Sequence, residues 1–197
     1  MKNKRRGLGG ALAKLAFELV TIIAGILIAL FVNNIQEQKR DREILQVTLQ
    51  SLSVEFAKNI ENMQRIQPRL ERFRDTLSFY QTQKEFSLND IAVKAPGLTT
   101  ADLYTTNWQA ALSSNSVRLL RFETVTLLSQ IDAKHRELKD QSTVLSSIVY
   151  SPALYKTGDE AMVYRKVIGD WLGSYLGNEQ ELISLYKEFD KTIAVSR

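Results

Sequence analysis

Leu45-Gln-Val-Thr-Leu-Gln-Ser-Leu-Ser-Val-Glu-Phe-Ala-Lys-Asn-Ile-Glu-Asn-Met-Gln-Arg-Ile-Gln-Pro-Arg-Leu-Glu-Arg-Phe-Arg-Asp-Thr-Leu-Ser-Phe-Tyr80 is the stretch that decides the fold. Its apolar positions after Leu45 are Leu49, Leu52, Phe56, Ile60, Met63, Ile66, Leu70, Phe73, Leu77 and Tyr80. Ten steps cover 35 residues, a mean of 3.5. A strand would alternate every second residue, so this is a helix with one apolar stripe. The stripe suits either a coiled-coil dimer seam or the core face of a helix within one bundle. The bundle is favoured because further apolar helices lie downstream and need a partner. Pro68 lies inside the stretch and either kinks one helix or opens a second at its first turn.

Working toward the N-terminus, Glu37-Gln-Lys-Arg-Asp-Arg-Glu43 is a charge-balanced neck that reads as a solvated helix face. Before it lies a run from Leu15 to Val32 whose only polar residues are Glu18 and Thr21. Eighteen residues at 1.5 Å each span roughly 27 Å, close to the hydrocarbon thickness of a bilayer. The run ends in Leu30-Phe31-Val32-Asn33-Asn34, without the small-residue pattern of a cleaved signal, and is read as a signal-anchor. Lys2, Lys4, Arg5, Arg6 and Lys14 precede it, against Lys39, Arg40 and Arg42 just after. The positive-inside rule then puts the N-terminus in the cytoplasm and the remainder outside a bacterial inner membrane, in the periplasm or its equivalent. Gly7, Gly9 and Gly10 are expected to form a flexible joint ahead of the anchor.

The net charge of +4 belongs to that tail, because without its five basic residues the chain holds 21 Lys/Arg against 22 Asp/Glu. No basic surface is left for nucleic acid, so the partners expected are the lipid bilayer and either a second copy or another membrane protein. The absence of cysteine rules out disulfide support and thiol chemistry.

Within the anchor, Glu18, Thr21, Gly25, Ala29 and Asn33 share one helical stripe at spacings of three, four, four and four. Small residues let a second helix approach, so this stripe is the candidate membrane helix interface. Glu18 has two readings: it reaches to the interface beside Lys14, or it meets a polar group of a partner helix.

Downstream, Asp90–Thr100 reads as a break, with Pro96-Gly97 as turn chemistry and Thr99 or Thr100 capping the next helix. Ser113-Ser-Asn-Ser116 is a turn. Ser151-Pro152 ends a helix that carries Val125, Leu128, Ile131, Leu138, Leu145 and Ile148 in the apolar role. Thr157-Gly-Asp-Glu160 reads as a capping box, Gly173 and Gly177 as a break, and Asn178-Glu-Gln-Glu181 as the cap of a final helix. The expected layout is an all-α fold: a basic cytoplasmic tail over 1–14, a transmembrane anchor over 15–32 and a helical extracytoplasmic domain over 33–197. In that domain a long helix runs over about 33–84, a loop over 85–100, and further helices over about 101–112, 122–149, 159–172 and 178–194 of an up-and-down bundle.

The sequence contains no GxSxG, HExxH or Walker loop, and no cofactor or metal ligand set is expected. The lone histidine, His135, falls among Asp132, Lys134, Arg136 and Glu137 and is expected to be exposed. Tyr104 and Trp108, four residues apart, are weighed as the lining of an apolar pocket against the commoner reading as core. Trp171 beside Leu172 is read as core.

Glu18-Leu-Val-Thr-Ile-Ile-Ala-Gly-Ile-Leu-Ile-Ala-Leu-Phe-Val-Asn-Asn34 resembles the start of a group of uncharacterised bacterial single-pass membrane proteins with a Glu-led anchor. Thr106-Asn-Trp-Gln-Ala-Ala-Leu-Ser-Ser-Asn-Ser-Val-Arg-Leu-Leu120 resembles a second stretch of that group, with Ser114-Asn115 where a glycine is usual. The resemblance implies a single-pass helical envelope protein and carries no activity. The expectation is a non-enzymatic interaction, scaffold or accessory subunit of an envelope complex; the alternative is an extracytoplasmic sensor or ligand-binding bundle.

Overall fold

The computed structural model describes residues 6–95, 98–114 and 116–194. Lys2, Lys4 and Arg5 of the basic tail, the Pro96-Gly97 turn and Asn115 lie outside the described residues. The protein is all-α, with no strand among the described residues. Its five helices are, in order, α1 (Arg6–Phe79), α2 (Leu88–Lys94), α3 (Thr106–Ser113), α4 (Phe122–Val149) and α5 (Gly158–Ala194). Short 3₁₀ turns occupy Ser116–Leu119 and Pro152–Tyr155. The chain divides into two units, 1–46 and 47–197.

In the first unit α1 carries an apolar stretch long enough to cross a membrane. Its side chains are uncovered: Phe17 is 74% and Phe31 65% exposed, which in water would be strongly unfavourable. The helix already begins at Arg6, so the glycines at 7, 9 and 10 lie within its first turns and do not form a joint. Their cost of about 1 kcal/mol each is carried by the helix formers after them.

In the second unit the stripe foreseen in α1 is buried against the chain's own helices. Leu52, Phe56, Met63, Ile66, Leu70, Phe73 and Leu77 join Leu128, Ile131 and Leu138 of α4 with Leu172, Leu182 and Phe189 of α5 in one core. This selects the bundle over the dimer seam. α1 and α5 run antiparallel, as the bonds Ser53–Asp190, Asn59–Tyr186 and Gln67–Gln180 record. α4 is antiparallel to α5 in turn, through Lys134–Glu181 and Gln141–Ser174. Between α1 and α4 the chain returns along α1 through α2, an irregular segment and α3. α1 continues through Pro68, which sits on its exposed face between buried Ile66 and Leu70. The lost backbone bond there costs roughly 3 kcal/mol, which the flanking burial sustains.

Four boundaries differ from the sequence reading. The expected loop 85–100 contains α2, opened by a Ser87/Asp90 capping box in which each side chain serves the other's backbone N–H. The helix expected from 101 begins only at Thr106, and Thr99 and Thr100 cap nothing. The breaks expected at Gly173 and Gly177 are absent, since α5 is continuous. Both glycines are exposed while Leu172, Tyr175 and Leu176 beside them are buried, so packing overrides propensity. Thr157 makes no capping bond. Instead Gly158, with φ +72, donates its N–H to the Lys84 carbonyl at 2.7 Å, and Lys84 pairs with Asp159 at 2.7 Å.

Candidate functional site: a polar seam and the cleft beside it

The core of the second unit is not wholly apolar. Glu55, Asn59, His135, Arg165 and Glu179 are all buried in it. Glu55 of α1 accepts the N–H groups of Asn107 (2.7 Å) and Trp108 (3.4 Å), and so caps α3 from another helix. A buried carboxylate at a helix N-terminus is favoured by the free N–H groups there. Asn107 answers by donating to the Ser51 carbonyl at 2.9 Å.

One turn along, Asn59 is saturated. Its Oδ1 accepts the Tyr104 N–H at 2.7 Å, and its Nδ2 donates to the Tyr104 carbonyl at 2.8 Å and to the Tyr186 hydroxyl at 3.0 Å. The Tyr186 hydroxyl in turn bonds His135 Nε2. That hydroxyl already accepts from Asn59, and its remaining lone pair or its own proton meets Nε2. Burial pushes His135 down to about 4, so the ring is neutral near pH 7. Its Nδ1 is buried and has no partner.

His135 lines a cleft of about 430 Å³ between α4 and the irregular segment before α3. α4 supplies Asp132, His135, Arg136, Lys139 and Ser142 at spacings of three, one, three and three; Thr100–Leu103 form the opposite wall, and Tyr175 of α5 closes it. The cleft's four charges, Asp102, Asp132, Arg136 and Lys139, cancel. Asp132 is engaged by Arg136 and by Trp108 Nε1 at 3.1 Å.

Behind Tyr175 lies Glu179, completely buried, with neither carboxylate oxygen in a well-formed hydrogen bond. Burial pushes its carboxyl up to about 7; the Tyr175 hydroxyl and the Gln67 amide beside it offset only part of that. Arg165, also fully buried, donates to the carbonyls of Tyr80 (2.6 Å), Gln83 (2.8 Å) and Ala161 (3.2 Å), pinning the end of α1 to α5.

Of the residues expected to line a pocket, neither Tyr104 nor Trp108 is among those that line this cleft. α3 starts at Thr106, so their spacing is not a helical turn: Trp108 is core, while Tyr104 is half exposed with Lys58 Nζ 5.7 Å from its ring centre. His135 is buried, not exposed. It lies four residues after Ile131 and three before Leu138, on α4's apolar face, a register the sequence already contained. Asn59 was likewise legible as a polar residue three after Phe56 and four before Met63; it, not Ile60, is the fully buried one. Glu18, Thr21, Gly25, Ala29 and Asn33 are all exposed on α1. Thr21 bonds only the Phe17 carbonyl at 2.8 Å, and the space where a Gly25 side chain would stand is open. No three metal-ligating side chains converge among the described residues. Comparison with protein-family models, curated proteins and solved structures gives no match to this chain.

Proposed function

We propose that this is a single-pass membrane protein whose helical domain is an interaction or accessory subunit of an envelope complex, without an enzymatic role. On this reading the N-terminus is cytoplasmic and the domain faces the periplasm or its equivalent. Glu18, Thr21, Gly25 and Ala29 face a partner helix, from another membrane protein or a second copy. The observation that carries the reading is where the domain leaves large apolar side chains uncovered. Phe79 ends α1, Val93 lies in the last turn of α2, Tyr150 and Tyr155 come after α4, and Val163 lies in the second turn of α5; all are between 62% and 88% exposed. The ends of α2, α4 and α5 among these are gathered around the Pro152–Tyr155 turn. Uncovered apolar surface of this kind is typical of a protein contact site. The bundle meanwhile uses its long stripe internally, which leaves these side chains, Phe122 at the other end of α4 and the apolar N-terminal stretch for association.

The chain has no cysteine, so single-cysteine cross-linking in intact membranes is clean. Tyr150→Cys carrying a photo-cross-linker is expected to give one discrete adduct, weakened by Gly25→Leu. No adduct from Tyr150→Cys, Phe79→Cys or Tyr155→Cys would overturn the reading. The cleft beside His135 favours a second reading, an extracytoplasmic sensor. It is tested by a rise in melting temperature of the full chain with a small molecule or lipid.

A further inference from the structure

The segment before α3 has one main-chain edge occupied and the other without a strand partner. Asn62 Nδ2 donates to the Asp102 carbonyl at 3.0 Å, and Asn59 takes both main-chain groups of Tyr104. Bonded carbonyls two residues apart on the same side are the signature of an extended chain, whose alternate residues direct their N–H and C=O groups to opposite sides. The Asp102 carbonyl and both main-chain groups of Tyr104 are thus spent on α1. Those of Ala101 and Leu103 are turned away from α1, and among the described residues no helix or strand pairs with them. Both residues line the cleft.

An extended edge inside a cleft without a strand beside it is an uncommon arrangement, because such an edge invites pairing with another chain. A second observation stands on the opposite wall. His135 is 6% exposed, lines the same cleft and has a ring nitrogen, Nδ1, with no hydrogen-bond partner. Buried polar atoms without partners are rare and call for a ligand or a water. Extended from Ala101 to Tyr104, the segment spans roughly 13 Å at 3.3 Å per residue, enough to face about four residues of a second chain.

We infer that the cleft is a binding slot for a short extended peptide, which adds as a strand to the edge at Ala101 and Leu103 and offers a polar main-chain group to His135. The slot's balanced charge selects against strongly acidic or basic sequences, so recognition is by main chain. This rests on the interaction reading above and names how one partner segment is held.

The test uses the full chain in lipid nanodiscs and hydrogen–deuterium exchange of the segment 98–105. The probe is a degenerate tetrapeptide pool of uncharged residues at millimolar concentration, compared with the same pool N-methylated at alternate residues. The unmethylated pool is expected to slow exchange across 98–105 by about tenfold, and the methylated pool to leave it unchanged. Leu103→Pro, which removes the N–H that the slot offers, is expected to abolish the effect. Because that variant also trims packing, the methylated pool is the independent control. No slowing with the unmethylated pool, or equal slowing by both pools, overturns the slot. If cross-linking at Tyr150→Cys persists in that case, the interaction reading stands and only the slot is lost; if both fail, both are wrong.

Discussion

Asn59 holds Tyr104 by both of its main-chain groups, the N–H at 2.7 Å and the carbonyl at 2.8 Å. One side chain of α1 thus does for the returning segment what a neighbouring strand would do, and its third bond, to Tyr186, ties the segment to α5. Replacing Asn59 by Ala strands the Tyr104 groups and removes one bond from Tyr186. The expected loss is about 2–4 kcal/mol, since each orphaned buried group costs about 1–3 kcal/mol and part of the segment is wet. Thermal melting of the full chain in nanodiscs checks this, and exchange at 98–105 should rise more than exchange in α5. An unchanged melt would mean the segment is held by packing alone.

Glu179 and His135 respond to pH with opposite signs. The folded state raises the Glu179 carboxyl to about 7. Its stabilising protonated form is fully present below the unfolded value of 4.5, and that stability is lost as pH rises through 7. The folded state lowers His135 to about 4, so stability from its neutral ring is present above 6.5 and lost as pH falls toward 4. Each amounts to about 3 kcal/mol at most, and over their shared window they offset one another. Wild-type melting should therefore be nearly flat from about pH 4.5 to 6.5. Glu179→Gln removes one arm, and its melting temperature should climb across that window. A flat profile in Glu179→Gln would show that His135 is not a buried neutral ring.

Arg165 joins the carbonyls of Tyr80 and Gln83 to α5 without a carboxylate bonded to it. Arg165→Met keeps the volume but releases both carbonyls, with an expected cost of about 3 kcal/mol. Proteolysis should then cut first between Phe79 and Leu88, where the variant's turn has lost its anchor. Cleavage at the same sites and rates as wild type would contradict this role.

In the apolar N-terminal stretch of α1, Gly25→Leu fills the open space on the Glu18–Thr21–Gly25–Ala29 stripe. If a partner helix packs there, cross-linked product in membranes should fall by about tenfold, whereas Ile26→Leu on another face should leave it unchanged. Equal products from both variants would remove the stripe as an interface.

The long apolar N-terminal helix and the stripe of α1 were legible because each depends on a period or a length that few other structures produce. The features that escaped were decided between elements distant in sequence. Gly173 and Gly177 look like breakers locally, yet the burial of Tyr175 and Leu176 keeps α5 whole. Asn178, which reads as a cap, instead bonds Glu137 and Gln141 from the middle of α5. α3 is capped by Glu55, some fifty residues away, so no local motif could announce its start. The cleft was missed for the same reason: its walls meet only once the returning segment hangs on Asn59 and Asn62. Its polar floor was foreshadowed by His135, a charged-looking position in apolar register between Ile131 and Leu138.

Membership of a membrane complex is tested most directly by gentle solubilisation of this chain from its own membranes, followed by the mass and composition of the particle that carries it. The expected particle is heavier than one 22.4 kDa chain and holds either a second copy or another membrane protein in fixed ratio. A lone monomer, unchanged by Gly25→Leu and without adducts from Tyr150→Cys, would contradict it.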